Sequence, residues 1–159
     1  MIRVQTEAFD VNAELEKLAA GNPKIGGVAS FIGYVRDESE GAGVAAMTLE
    51  HYPGMTEKKL EEIAAEAHRR WPLEASLIVH RVGRLEPGAP IVLVATASAH
   101  RQAAFESCQF LIDWLKTKAP FWKEEETGQG KRWVEARAAD DAAAENWAQK
   151  NPAAGPKKA

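Results

Sequence analysis

The strongest constraint on how this chain folds is Pro120, which sits in LKTKAPFWK (residues 115–123) directly after a long amphipathic stretch. Proline offers no N–H to a helix and pushes the preceding residue out of helical space, so a helix over residues 101–119 must stop there and an extended segment must begin. Spacing puts Phe105, Cys108, Ile112 and Leu115 on one helix face, and Glu106, Gln109, Asp113 and Lys116 on another. In the extended segment Phe121, Lys123 and Glu125 point one way, Trp122 and Glu124 the other. The corner therefore turns Lys116 and Lys123 toward each other. Two ammonium groups so placed repel, and partial burial beside Phe121 and Trp122 further disfavours their charged forms, which is one route to a reactive lysine. Spacing alone favours two solvated lysines, since exposure is that side chain's ordinary state.

A chain of 159 residues, 45% of them hydrophobic, can bury one proper core but not two independent ones. Its formal charge of -3, from 20 basic and 23 acidic side chains, argues against a surface that attracts nucleic acid or acidic membranes. Any anion site must be local. The single cysteine, Cys108, excludes an internal disulfide framework and a cysteine-based zinc site, and on an apolar helix face it reads as a buried structural thiol. MIRVQTEAFDVN lacks a cationic leader followed by an apolar run, and no segment approaches the roughly 18 apolar residues of a membrane span. A cytoplasmic location is expected.

Local patterns predict a strand over residues 2–6, a helix capped by Asp10 and ended at Gly21-Asn22-Pro23, and a strand over residues 25–35. The charged, glycine-rich RDESEGAG (residues 36–43) reads as a mobile active-site or hairpin loop before a strand over residues 44–50. Leu60, Ile63, Ala64 and Ala67 mark a helix over residues 55–71. Strands follow over 75–81 and 90–99, separated by a turn-rich region at 83–88. A hairpin spans 121–126 and 132–136, and a terminal helix spans 140–149. This order implies an α+β fold with a mainly antiparallel sheet, one domain over residues 1–149, and a flexible tail over 150–159.

A second candidate constellation is Ser98-Ala99-His100-Arg101, where an apolar strand gives way to the long helix. Backbone donors at that helix start, with His100 and Arg101, make an anion site; equally, Ser98 caps the helix and Arg101 is solvated. Arg36, Arg132 and Arg137 are candidates to join one positive pocket suited to a phosphate-bearing ligand. His51 reads as part of a turn feeding a helix, and His68 and His80 as ordinary helix and strand residues. No histidine pair has metal spacing, and no metal or cofactor is expected. The five tryptophans read mostly as core or interface anchors.

TLEHYPGM, HRVG, SAHR, LKTKAPFWK and RWVEAR together resemble the large, catalytic subunit of molybdopterin synthase, in order, over residues 27–147. The resemblance implies an α/β hammerhead-like domain with a small added β-rich portion, and a sulfurtransferase of molybdenum cofactor biosynthesis. That family converts cyclic pyranopterin monophosphate, or precursor Z, into molybdopterin. The sulfur comes from a thiocarboxylate on the C-terminal Gly-Gly of a small ubiquitin-like subunit, and two large subunits form the centre of a heterotetramer. By this resemblance Lys116 and Lys123 take the catalytic positions. Arg36, His100 and Arg101, with Arg137 as an additional contributor, bind the pterin phosphate substrate, and pocket residues come from both central chains.

Overall fold

The computed structural model describes residues 1–134 and 138–149. The elements are β1 (Ile2–Gln5), α1 (Val11–Ala19), β2 (Gly27–Tyr34), β3 (Glu38–Ser39), β4 (Ala42–His51), α2 (Met55–Arg70), β5 (Leu73–Arg81), β6 (Gly83–Leu85), β7 (Pro90–Ser98), α3 (Arg101–Lys118), β8 (Phe121–Thr127), β9 (Gly130–Val134) and α4 (Ala138–Gln149). They build a mixed α+β fold with two sheets whose pairings are antiparallel except between β1 and β5.

The first sheet runs β1-β5-β7-β2. Its central strands are apolar on both sides because both sides are covered. Leu77, Val79, Leu93 and Ala95 pack against Phe9, Val11, Leu15 and Leu18 beneath α1. On the other face Ile78, Val92 and Val94 meet Leu60, Ile63 and Ala67 of α2 and Ala104, Cys108, Leu111 and Leu115 of α3. Asp10 caps α1 as expected, its carboxylate accepting from the Ala13 N–H at 3.0 Å.

The second sheet runs β3-β4-β8-β9, with β6 added on β4. Sequence reading passed over β6 because three residues within a turn-rich stretch carry no period. At Gly83 the backbone takes φ +94, which turns the chain from β5 in one sheet into β6 in the other. Of the two readings of residues 36–43, the hairpin stands, and it is tight. Glu38 pairs with Gly43 and Ser39 with Ala42, around Glu40 and Gly41, both at positive φ.

The stop at Pro120 stands where expected. Ala119 leaves the helix at ψ 133, its N–H still reaching the Leu115 carbonyl at 3.4 Å. The fully buried Thr56 hydroxyl ties this corner to α2, donating to the Pro120 carbonyl at 3.2 Å and accepting from the Tyr52 N–H at 3.0 Å. Phe105 departs from the predicted apolar face and is 66% exposed. The other predicted members, Cys108, Ile112 and Leu115, are buried, and Ala103, Ala104, Ser107, Phe110 and Leu111 join them to widen the buried face.

α4 is held to α2 and α3 by an aromatic cluster. Trp147 meets Trp71 and Phe110 nearly edge-on, its Nε1 donates to Asp113 at 2.7 Å, and its carbonyl accepts from Arg70 at 2.6 Å. Trp71 and Trp147 serve as core anchors and Trp114 is half-buried beside them, whereas Trp122 and Trp133 are exposed on the outer face of the second sheet. The proposed tail over residues 150–159 and the predicted strand end at 135–136 lie outside the described residues.

Candidate functional site

A cavity of about 490 Å³ opens where the two sheets meet the C-terminal end of α3. This is the size of a small-molecule site. β2 contributes Phe31 and Tyr34 to its wall, the β5 and β7 strands His80 and Val92, and α3 Ile112 and Leu115. Lys116 from α3, Lys123 from β8 and Arg36, just after β2, all line it. The corner at Pro120 therefore does bring the two lysines to one space. Lys116 is exposed at the rim and Lys123 is half-buried.

The cations are matched by carboxylates. Glu38, Glu125 and Asp140 also line the cavity. Glu125 is only 2% exposed and accepts from the Arg132 guanidinium at 3.3 Å. Arg132 donates as well to the Ser39 carbonyl at 2.7 Å, which makes it a clasp on the β3–β4 hairpin. Its role is thus internal to the wall. Buried charge is tolerated when paired and hydrogen-bonded, and Glu125 meets that condition through Arg132.

His80 is the residue that sequence reading missed. An isolated histidine in an apolar strand gives no catalytic pattern, and HRVG carries meaning only as one block of the resemblance. It is 3% exposed, and its ring lies flat on Phe121 with centroids 3.7 Å apart and planes 13° from parallel. Nδ1 sits 2.7 Å from the Arg81 carbonyl, an acceptor, so Nδ1 carries the hydrogen. Burial pushes its pKa down to about 3. The positive charges of Lys123 and His51 push the same way, against the contrary pull of the Arg81 carbonyl.

The SAHR constellation lies elsewhere. His100 and Arg101 are exposed at the opposite end of α3, about 22 Å of helix rise from Lys116, and neither lines the cavity. Within one chain they do not share the lysine pocket. Ser98 does not cap the helix. It is fully buried and its hydroxyl donates to the Pro72 carbonyl at 2.8 Å, while His100 holds the N-cap position without a side-chain bond. Arg137 lies outside the described residues.

His51 ends β4 opposite Phe121 and sits 3.5 Å from Glu57. Cys108 is buried, its thiol pushed up to about 11 by the apolar surroundings. Among the described residues no three His, Cys, Asp or Glu side chains gather to hold a metal, and no helix is long and apolar enough to cross a membrane.

The family model described as "MoaE protein" matches residues 4–118. A molybdopterin synthase catalytic subunit of Pseudomonas aeruginosa is 62% identical over 146 residues, covering 92% of this chain and 97% of its own length. Among solved structures, the molybdopterin biosynthesis MoaE protein of Burkholderia ambifaria superposes with a TM-score of 0.80 at 61% identity, over 93% of this chain and 97% of its own. Molybdopterin cofactor biosynthesis protein E of Burkholderia multivorans gives 0.79 at 58% identity, over 93% and 96%.

Proposed function

The chain belongs to the MoaE family of molybdopterin synthase catalytic subunits, and from that premise we propose a division of labour in its cavity. The substrate is cyclic pyranopterin monophosphate, and the product carries two new sulfurs as a dithiolene. Each sulfur arrives as a thiocarboxylate on the C-terminal Gly-Gly of a small ubiquitin-like subunit. The carrying observation is that Lys116 and Lys123, from two elements on either side of Pro120, line one cavity with Arg36.

Exposure at the rim suits Lys116 to meet the incoming thiocarboxylate and stabilise the charge that develops as its C–S bond breaks. The deeper Lys123 serves acid/base or covalent steps on the pterin-derived substrate. Arg36 holds the phosphate. The only cysteine is buried with a raised pKa, which is consistent with sulfur supplied from outside the chain.

His100 and Arg101 complete the phosphate site from a second copy of the chain, with Arg137 an additional contributor to substrate binding. The length of α3 supports this reading for His100 and Arg101, because one chain holds them too far from its own Lys116. Two central chains, each with a small subunit, then make a heterotetramer working in the cytoplasm.

The test mixes the protein with thiocarboxylated small subunit and cyclic pyranopterin monophosphate and follows the dithiolene product by mass spectrometry. Lys116→Ala is expected to abolish product while keeping the fold. Full turnover by that variant sinks the assignment, and ligand binding without product from the unaltered protein turns the reading toward a binding module.

A further inference from the structure

We propose that His80 is a positioning residue for Lys123, holding the start of β8 against the first sheet as a flat imidazole plate under Phe121. The inference rests on the reading of Lys123 as a reacting lysine. Among the described residues β8 makes its backbone pairings with β4 and β9 only, all in the second sheet. His80, by contrast, is a residue of β5 in the centre of the first sheet, in register with Val4 on one side and Val92 on the other. The stack of His80 on Phe121 thus joins the two sheets at the cavity wall.

Phe121 and Lys123 are two residues apart on one face of the strand, about 7 Å along it. The stack on Phe121 thus adds a side-chain tie to the first sheet on the same face as the Lys123 stem, whose backbone is already paired with Leu49 and Val134. The Arg81 carbonyl in turn fixes the imidazole by accepting from Nδ1, so the plate has neither rotational nor tautomeric freedom.

The same contact requires a neutral ring. A protonated imidazole there would face Lys123 from β8 and His51 from β4, with Arg81 next to it on β5 and Lys116 across the cavity on α3. Every one of these except His51 is ordinarily cationic at neutral pH, and of the carboxylates that line the same cavity, Glu38, Glu125 and Asp140, Glu125 is already paired with Arg132. Burial keeps His80 uncharged, which lets an aromatic plate sit close to an ammonium without adding to the repulsion.

The experiment measures the pH dependence of amine labelling, site by site, at Lys123 and Lys116 of the full chain by peptide mass spectrometry. His80→Gln keeps an N–H for the Arg81 carbonyl but removes the plate, and His80→Phe keeps the plate. The labelling midpoint of Lys123 is expected to move by at least about half a pH unit in His80→Gln and to return toward its original value in His80→Phe. Lys116 is expected to hold its midpoint in both. Turnover by His80→Gln is expected to fall at least about tenfold with KM within about threefold.

An unmoved Lys123 midpoint in folded His80→Gln overturns the proposal, as does His80→Phe perturbing Lys123 as much as His80→Gln. If His80→Gln does not fold, Phe121→Leu removes the same stack from the other side, and an unmoved Lys123 there overturns it equally. Full turnover by Lys123→Ala would instead sink the underlying reading of that lysine, whatever the labelling shows.

Discussion

Arg132 on β9 donates to the backbone carbonyl of Ser39 on β3 at 2.7 Å, closing a span of the second sheet that strand pairing does not bridge directly. The same guanidinium neutralises the buried Glu125 and approaches Glu40 at 4.0 Å. One side chain therefore anchors the hairpin that follows Arg36.

Arg132→Ala should release that hairpin and strand Glu125 without its partner. Because Arg132 is about one-third exposed, with 35% of its side chain open to solvent, screening limits the loss to about 1–3 kcal/mol, measurable by urea unfolding. The hairpin follows directly on Arg36, so KM for the phosphate substrate should rise more than kcat falls. Equal stability and unchanged KM would show the clasp to be idle.

Lys116→Ala and Arg101→Ala should each be inactive, yet chains carrying the two changes, co-refolded, should recover activity. In a symmetric pair, half the dimers are mixed, and each mixed dimer gathers both defects in one site and leaves the other intact, giving about a quarter of full activity. No recovery would mean that the two residues serve one chain's site or unrelated ones.

Gly26→Ala should damage the fold from a position that carries no chemistry. A Cβ there would lie 2.0 Å from the Ala99 carbonyl oxygen, while the Gly26 N–H already donates to the Ser98 carbonyl at 2.9 Å. Backbone has to move, at a cost of about 1–3 kcal/mol or more, and it moves next to His100. Thermal unfolding should show the loss; an unchanged Tm would contradict the close approach.

Acidification should weaken the fold before carboxylates begin to titrate. The unfolded chain protonates His80 below about pH 6.5, whereas the folded chain resists until about pH 3, so stability falls as pH drops through that window and is insensitive to this group above it. His68, also lowered by burial, adds to the same slope. Glu66, held at about 2 by Arg69 and Arg70, contributes only below about pH 4.5. The slope from His80 alone is of order 1 kcal/mol per pH unit, and His80→Phe should flatten the measured curve accordingly. An identical slope in the variant would place the ring outside the core.

Much of this arrangement was legible beforehand because it rests on local rules. Pro120 ended α3 and Asp10 capped α1, since both act within a few residues. Leu60, Ile63 and Ala67 announced the buried side of α2 by period. What escaped depends on partners distant in sequence. β6 forms on the edge that β4 offers it, and Phe105 is exposed while its neighbour Ala104 is buried against β7, where its carbonyl accepts from Thr96 at 2.7 Å. Lys116 and Lys123 reach one cavity across the corner at Pro120, as their spacing implied, whereas Arg36 joins them through the packing of the two sheets. The separation of His100 and Arg101 from them follows directly from helix length, yet a list of motifs does not express length as distance.

The 18 residues of α3 have a further consequence for how this chain tolerates change. A single insertion or deletion inside the helix advances or retracts Lys116 by about 1.5 Å but also swings it by about 100° around the axis. The buried stripe forbids that rotation, because it would carry Leu111 and Leu115 out of the core. The smallest change that restores both orientation and stripe to within about 20° is about seven residues, close to two full turns. The spacing from Arg101 to Lys116 therefore cannot change by less than about 10 Å: substitutions can drift along the exposed side of α3, while its length is locked.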